Sequence, residues 1–194
     1  MTVVDEPFEV RLALGATGVL RTFNAAGVLS AADVHVAQRL GRLGGEDDEV
    51  VLLAAAFAAR APRLAHVCTD LATLPERVAV DTDLQIDVGA LPWPDGWVDA
   101  VAASPLADGD GPLCLVGTRL YLDRYWREER QVAADLRAQG AMEAPEVDRD
   151  LLSAGLDRLF DAPPPDYQRI AASAAVSRRF AVVAGGPGTG KTTA

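Results

Sequence analysis

Between Ala184 and Thr193 the chain reads Ala-Gly-Gly-Pro-Gly-Thr-Gly-Lys-Thr-Thr. Gly185 to Thr192 fit a glycine, four free positions, then Gly-Lys-Thr, the pattern of a loop that cradles phosphate. The chemistry such a loop needs is present residue by residue. Gly185, Gly186, Gly188 and Gly190, with Pro187 and Thr189 between them, let the backbone turn tightly so that successive N–H groups converge on an anion. Lys191 would reach the β- and γ-phosphates, Thr192 would ligate Mg²⁺, and Thr193 completes the binding stretch. Lys191 and Thr192 are therefore the candidate catalytic pair, and Thr192 the candidate metal ligand. A glycine-rich surface turn is the plain alternative; the Lys-Thr pair at the right offset and the apolar run upstream argue against it.

Two elements must position this loop. The run Phe180-Ala-Val-Val183 predicts a short strand over 180–184 feeding it. Before the strand, Asp166 is a good N-cap for a helix from Tyr167 to about Arg178. The chain stops two residues after Thr192, where a long helix should carry on behind the phosphates. The expectation is the front end of a larger ATPase that does not hydrolyse ATP by itself. ATP and Mg²⁺ are expected in the parent protein, and neither in this portion alone. A strand at 180–184 without covalent neighbours is expected to be supported by another chain or by the remainder of a longer polypeptide.

The 194 residues suffice for one ordinary domain and part of a second. A formal net charge of −10 argues against this portion being the main contact to a phosphate backbone. Cys68 and Cys114, with only His35 and His66 beside them, have no metal-ligand spacing and read as isolated thiols. The N-terminus lacks a basic stretch followed by an apolar one, so no signal peptide is expected. The apolar run 50–59 is too short to span a bilayer. A cytoplasmic protein that does not engage a membrane is the expectation.

Taken in order, Val19, Leu20 and Phe23 have helical spacing, and a helix is expected from about 16 to 26, ended by Gly27. Phe8, Val10, Leu12 and Leu14 precede it. Ser30 to Asp33 is a capping signal for a second helix stopped by Gly44-Gly45. Glu46, Asp47, Asp48 and Glu49 suit the N-terminus of a third, which is Ala-rich, apolar nearly all round, and ended by Pro62. Such a helix should be the centre of its domain. His66, Val67, Cys68 and Leu71 read as a further helical turn, and Val78–Val80 and Leu84–Val88 as brief helical or extended pieces. Trp93 and Trp97, with no cation between them, favour aromatic packing or a partner contact over base stacking. Val98 to Ala103 reads as a short helix, and Asp108 to Pro112 as a plain turn rather than a Ca²⁺ loop. The run Leu113 to Leu122 reads as a hairpin turning at Gly117-Thr118. An amphipathic helix follows from Arg124 to Gln139, with Tyr125, Val132 and Leu136 on one side, Glu129 nearby, and Gly140 closing it. After a linker over 141–147 comes a short helical region, Val147 to Phe160, then the stiff break Pro163-Pro164-Pro165.

Three stretches together, Tyr121-Leu-Asp-Arg-Tyr-Trp-Arg-Glu-Glu129, Tyr167-Gln168-Arg-Ile-Ala-Ala172 and Val182 to Thr193, resemble the N-terminal part of the RecD family, the alpha subunit of bacterial RecBCD exonuclease V. The Ala-, Arg- and Asp-rich composition resembles high-GC actinobacterial members. The likeness is firm over about 113–194 and looser over 1–112.

The resemblance implies a fold: a mainly α N-terminal domain with a small β-hairpin over 1–145, a linker and short helix over 146–165, and over 166–194 the start of a RecA-like α/β superfamily 1 helicase domain, cut within or just after the phosphate loop. The implied activity is that of a 5′-to-3′ DNA translocase in a heterotrimer that processes double-strand breaks for recombinational repair. The first domain would dock against a RecC-like subunit, with a RecB-like subunit in the same complex and DNA engaged through the motor domains. Gln168 would read the adenine edge, its amide both donating and accepting; an ordinary polar helix residue is the alternative. A helical interaction domain joined to a partner-independent P-loop helicase, or to a regulatory ATPase, is the second functional reading.

Overall fold

The computed structural model describes residues 11–78, 87–161, 163 and 165–191. The pieces expected at Phe8, Val10, Val80 and 84–86 lie outside them. The chain divides into two compact units, Met1–Glu129 and Arg130–Ala194.

In the first unit, helix α1 (Gly18–Ala25) leads to α2 (Ala31–Gly44) and α3 (Glu49–Arg60). The start of α2 is fixed by a reciprocal cap. The Asp33 amide donates to the Ser30 hydroxyl at 3.3 Å, and the Ser30 amide donates to Asp33 Oδ2 at 2.8 Å. Its end is fixed by Gly45 in the left-handed conformation, φ 70°. Asp33 is buried, and a 2.9 Å ion pair with Arg63 compensates its charge.

Helix α3 is the centre of the unit. Asp48 caps it, accepting from the Val50 amide at 2.8 Å. Leu53, Ala54, Ala55, Ala56, Phe57 and Ala58 are each at most 1% exposed. Six consecutive buried residues exceed one helical turn, so this stretch has no solvent face. Walls are supplied by α1, α2, α5 (Trp97–Ala103) and strand β3 (Arg119–Leu122). Phe57 packs edge-on to Phe23 at 5.7 Å, stacks on Trp93 at 5.6 Å and meets Trp97 at 6.2 Å between centroids. Both tryptophans thus serve core packing, and Trp93 Nε1 donates to the Val88 carbonyl at 2.9 Å.

The acidic run before α3 is structural as well. The Glu46 carboxylate accepts from the Ser104 hydroxyl at 2.6 Å and from the amides of Asp48 and Asp47. The Ser104 bond, then the Asp48 amide, hold its carboxyl below the usual range.

The hairpin forms as expected from β2 (Leu113–Val116) and β3, turning at Gly117 with φ 61°. It is part of a larger sheet. Strand β1 (Thr69–Asp70) pairs antiparallel with the other edge of β3, giving the order β1-β3-β2 with Thr69 and Leu115 both opposite Leu120. This corrects the helical turn expected over 66–71: a helix there would leave the edge of buried β3 unpaired, whereas β1 and the Leu71 amide, donating to Thr118 at 2.9 Å, satisfy it. Between β1 and the next 3₁₀ turn (Val88–Ala90) lies the short α4 (Leu74–Arg77). Cys68 and Cys114 are free thiols, and burial pushes Cys114 up.

Helix α6 (Asp123–Ala141) follows β3 without a break. It contains no buried residue, and its exposed side is laced by Arg124–Glu128 at 2.9 Å and Arg127–Asp123 at 2.6 Å. The helix runs through Gly140 rather than closing there, because Gly140 does not adopt the left-handed conformation of a C-cap. In the second unit α7 (Arg149–Leu159) is capped by Asp148 and pairs with α8 (Tyr167–Ser177). The expected strand over 180–184 does not form: no ladder bond reaches these residues among those described, and a strand without a partner is not a strand. No helix among the described residues is long and apolar enough to cross a membrane.

Truncating Phe57 to alanine removes the ring that Phe23, Trp93 and Trp97 all touch. A loss of about 3–5 kcal/mol is expected, read by urea denaturation followed through tryptophan emission; a loss under about 1 kcal/mol would contradict the central role of α3.

A pH dependence follows from Tyr121, 3% exposed, whose phenol burial, aided by Cys68, pushes up to about 12. The unfolded phenol titrates near 10. Between those values the folded chain binds more protons than the unfolded one, so Tyr121 stabilises fully below about pH 10 and progressively less as pH rises toward 12. Denaturation midpoints measured from pH 8 to 12 should fall in that window, and more shallowly in Tyr121→Phe.

Candidate nucleotide-binding site

The site is built from the first turn of α8 and the glycine-rich loop, both in the second unit. Asp166 starts α8: its Oδ1 accepts from the amides of Gln168 and Arg169, each at 3.0 Å. That cap fixes where Tyr167 and Gln168 stand. The Arg169–Asp157 pair at 2.6 Å ties α8 to α7.

The loop folds on itself over few bonds. The Thr189 hydroxyl donates to the Gly186 carbonyl at 2.8 Å, and Gly188 and Gly190 take φ of 75° and 76°. Only glycine adopts this backbone at little cost. Two positions are also close to a neighbouring side chain: a Cβ on Gly185 would stand 2.6 Å from the Thr189 hydroxyl, and one on Gly190 would overlap the Gln168 amide, which would have to move. The loop and the first turn of α8 therefore meet at Gly190 and Gln168.

Lys191 lies across the loop. Its ammonium donates to the carbonyls of Gly185 at 2.5 Å and Gly186 at 2.6 Å. Among the described residues it meets no carboxylate. Neutral carbonyls are partners that a phosphate oxygen, with its full charge, can displace with a stronger bond. Lys191 is also the one lysine among 18 cationic side chains of the chain, the others being arginine.

A cavity of about 260 Å³ opens between these parts, lined by Tyr167, Gln168, Ala171, Val183, Gly185 and Lys191 among others. The donor set fits a nucleotide: an ammonium and glycine backbone at one side, a primary amide at the other, small apolar walls between. Of the residues singled out in the sequence, Gln168, Gly185, Thr189, Gly190 and Lys191 line this hollow, while Gly186, Pro187 and Gly188 belong to the loop without lining it. Thr192 and Thr193 lie outside the described residues. Sequence reasoning missed Tyr167, Ala171 and Val183; an aromatic residue at the first helical position beside Gln168 was the available signal. A larger apolar hollow, lined by Leu151, Leu159, Phe160 and Val176 with others, lies between α7 and α8 but brings no cation or amide together. No group of His, Cys, Asp and Glu able to hold a metal occurs among the described residues.

Comparison with known proteins is consistent along the chain. A family model described as the RecBCD enzyme subunit RecD, N-terminal domain, matches residues 25–121. The RecBCD enzyme subunit RecD of Mycobacterium tuberculosis strain H37Rv is 50% identical over 188 residues, 95% of this chain and 30% of the relative. That of Mycolicibacterium smegmatis is 45% identical over 174 residues, 86% of this chain and 28% of the relative. The chain thus spans about 30% of the length of these curated relatives.

Gly190→Ala tests the junction of loop and helix. Left-handed backbone costs a side-chain residue roughly 1–2 kcal/mol, and the added methyl must also displace Gln168. In the intact protein a fluorescent ATP analogue should bind at least about ten-fold more weakly, and an unchanged affinity would remove Gln168 and Gly190 from the site.

Proposed function

Because this chain belongs to the RecD family of RecBCD enzyme subunits, we propose that it is the N-terminal portion of an ATP-dependent 5′-to-3′ DNA helicase subunit, working in a RecBCD-like helicase–nuclease at double-strand breaks. The observation that carries this reading is the Lys191 ammonium held on the Gly185 and Gly186 carbonyls beside the Gln168 amide. Mg²⁺·ATP supplies the phosphoryl chemistry of such a motor. The chain's own residues do the holding. Lys191 would exchange loop carbonyls for phosphate oxygens, the glycine N–H groups of 185–190 would meet the same anion, and Thr192 would hold Mg²⁺. Gln168 selects adenine by donating and accepting at the base edge.

The first unit has a different task. It has a buried core of its own, the chain carries a formal net charge of −10, and α6 contains no buried residue. A module of this kind supports docking to a protein better than contact with DNA phosphates. The direct partner is a RecC-like subunit, with a RecB-like subunit in the same complex; DNA is engaged by the motor domains that complete the parent protein. That assembly works in the cytoplasm.

Lys191→Ala in the intact protein should lower DNA-stimulated ATP hydrolysis by on the order of 100-fold or more, while association with RecB- and RecC-like subunits, read by co-purification, stays intact. Retained hydrolysis would overturn the role of Lys191. Full helicase activity without partners, and no association with them, would overturn the docking role and favour a partner-independent helicase.

A further inference from the structure

In the first unit Phe23, Phe57, Trp97 and Tyr121 are at most 5% exposed, and Trp93 is half-buried against them. Tyr167 is 75% exposed, and no other aromatic among the described residues is left in solvent to that degree. An exposed ring alone needs no explanation. Its position does: Tyr167 occupies the first helical position of α8, next to Gln168, and both line the cavity that ends at Lys191. Ala171 and Val183 supply apolar lining, while the polar lining residues are Gln168, Thr189 and Lys191. This is a complement to a flat group with apolar faces, a hydrogen-bonding edge and a polyanionic tail.

We propose that Tyr167 is the stacking platform for the purine base, its ring lying against the base face while Gln168 reads the edge and Lys191 holds the phosphates. The inference rests on the nucleotide-binding reading given above and extends it to the base. It divides recognition in two. Stacking is blind to base identity, because every base has a π-face; Gln168 alone then supplies preference for adenine. The phenol hydroxyl has no part in it, so phenylalanine and tryptophan substitute for Tyr167, and alanine does not.

The experiment uses the intact protein and three ligands: ATP, GTP and inorganic tripolyphosphate, the last measured by competition. Tyr167→Ala should weaken ATP and GTP alike by roughly ten-fold and leave tripolyphosphate unchanged. Tyr167→Phe and Tyr167→Trp should bind ATP as the parent does. A Tyr167→Ala protein that binds ATP normally while Lys191→Ala does not bind would overturn this inference and leave the nucleotide site standing. Equal losses for ATP and tripolyphosphate would also overturn it, since the ring would then be shaping the loop. Failure of the parent protein to bind ATP would overturn the nucleotide site and this inference together.

Discussion

The first unit depends on one constraint: α3 has to be enclosed on every side. From Leu53 to Ala58 the helix buries more than a full turn, and each side must be met by another element or water enters. The alanines make this enclosure close. A methyl side chain lets neighbouring elements approach, and Gly41 of α2 makes room in the same way: a Cβ there would stand 2.6 Å from the Leu52 side chain and 2.7 Å from the Glu46 carbonyl. Phe57 then fills the space on the side where α3 faces the two tryptophans. The sheet answers the same demand. Leu120 at the middle strand is fully buried, so both edges of β3 have to be paired in spite of β1 being two residues long.

The second unit rests on a different kind of restraint. Leu156 is its buried apolar residue among those described, while Leu151, Leu159, Ile170 and Val182 are each more than half exposed. The shape of the candidate site therefore comes from short-range geometry: an aspartate cap on α8, two left-handed glycines, one hydroxyl and one ammonium bonded to loop carbonyls. Such restraints need no deep core, since each involves residues a few positions apart or a single close approach. They close the loop on itself and leave α7 and α8 with unburied apolar sides.

That difference explains what was legible in the sequence. The α2 capping box, the Gly45 stop, the Asp166 cap and the phosphate loop are local devices whose residue types dictate their geometry, and all can be read from a few adjacent letters. The hairpin at Gly117 is local too. Strand β1 is not: Thr69 and Asp70 carry no alternation, and the edge of β3, some fifty positions away, decides their conformation. Residues 180–184 have the composition of a strand yet form none, because composition supplies propensity and only a neighbour supplies hydrogen bonds. Gly140 has the type of a helix stop without the backbone conformation of one. Tyr167 lines the candidate site, and its place beside Gln168 was legible, but an aromatic at a helix start reads as packing until its exposure is known.

The choice of cation at the loop is itself informative. With arginine at every other positive position, the chain meets its ion-pairing needs with guanidinium: Arg63 to Asp33, Arg127 to Asp123 and Arg169 to Asp157 are all contacts with carboxylates. Such contacts suit a planar fork of fixed donors. Between the Gly185 and Gly186 carbonyls the requirement is opposite. Two acceptors about 2.5 Å from one nitrogen define a hollow for a compact charge that can turn its protons from carbonyl to phosphate. A guanidinium is too broad to sit there and too rigid to swing. The lone lysine therefore stands where a small, rotatable, fully charged head fits between two carbonyls, which is the property the proposed role in holding an anion calls for.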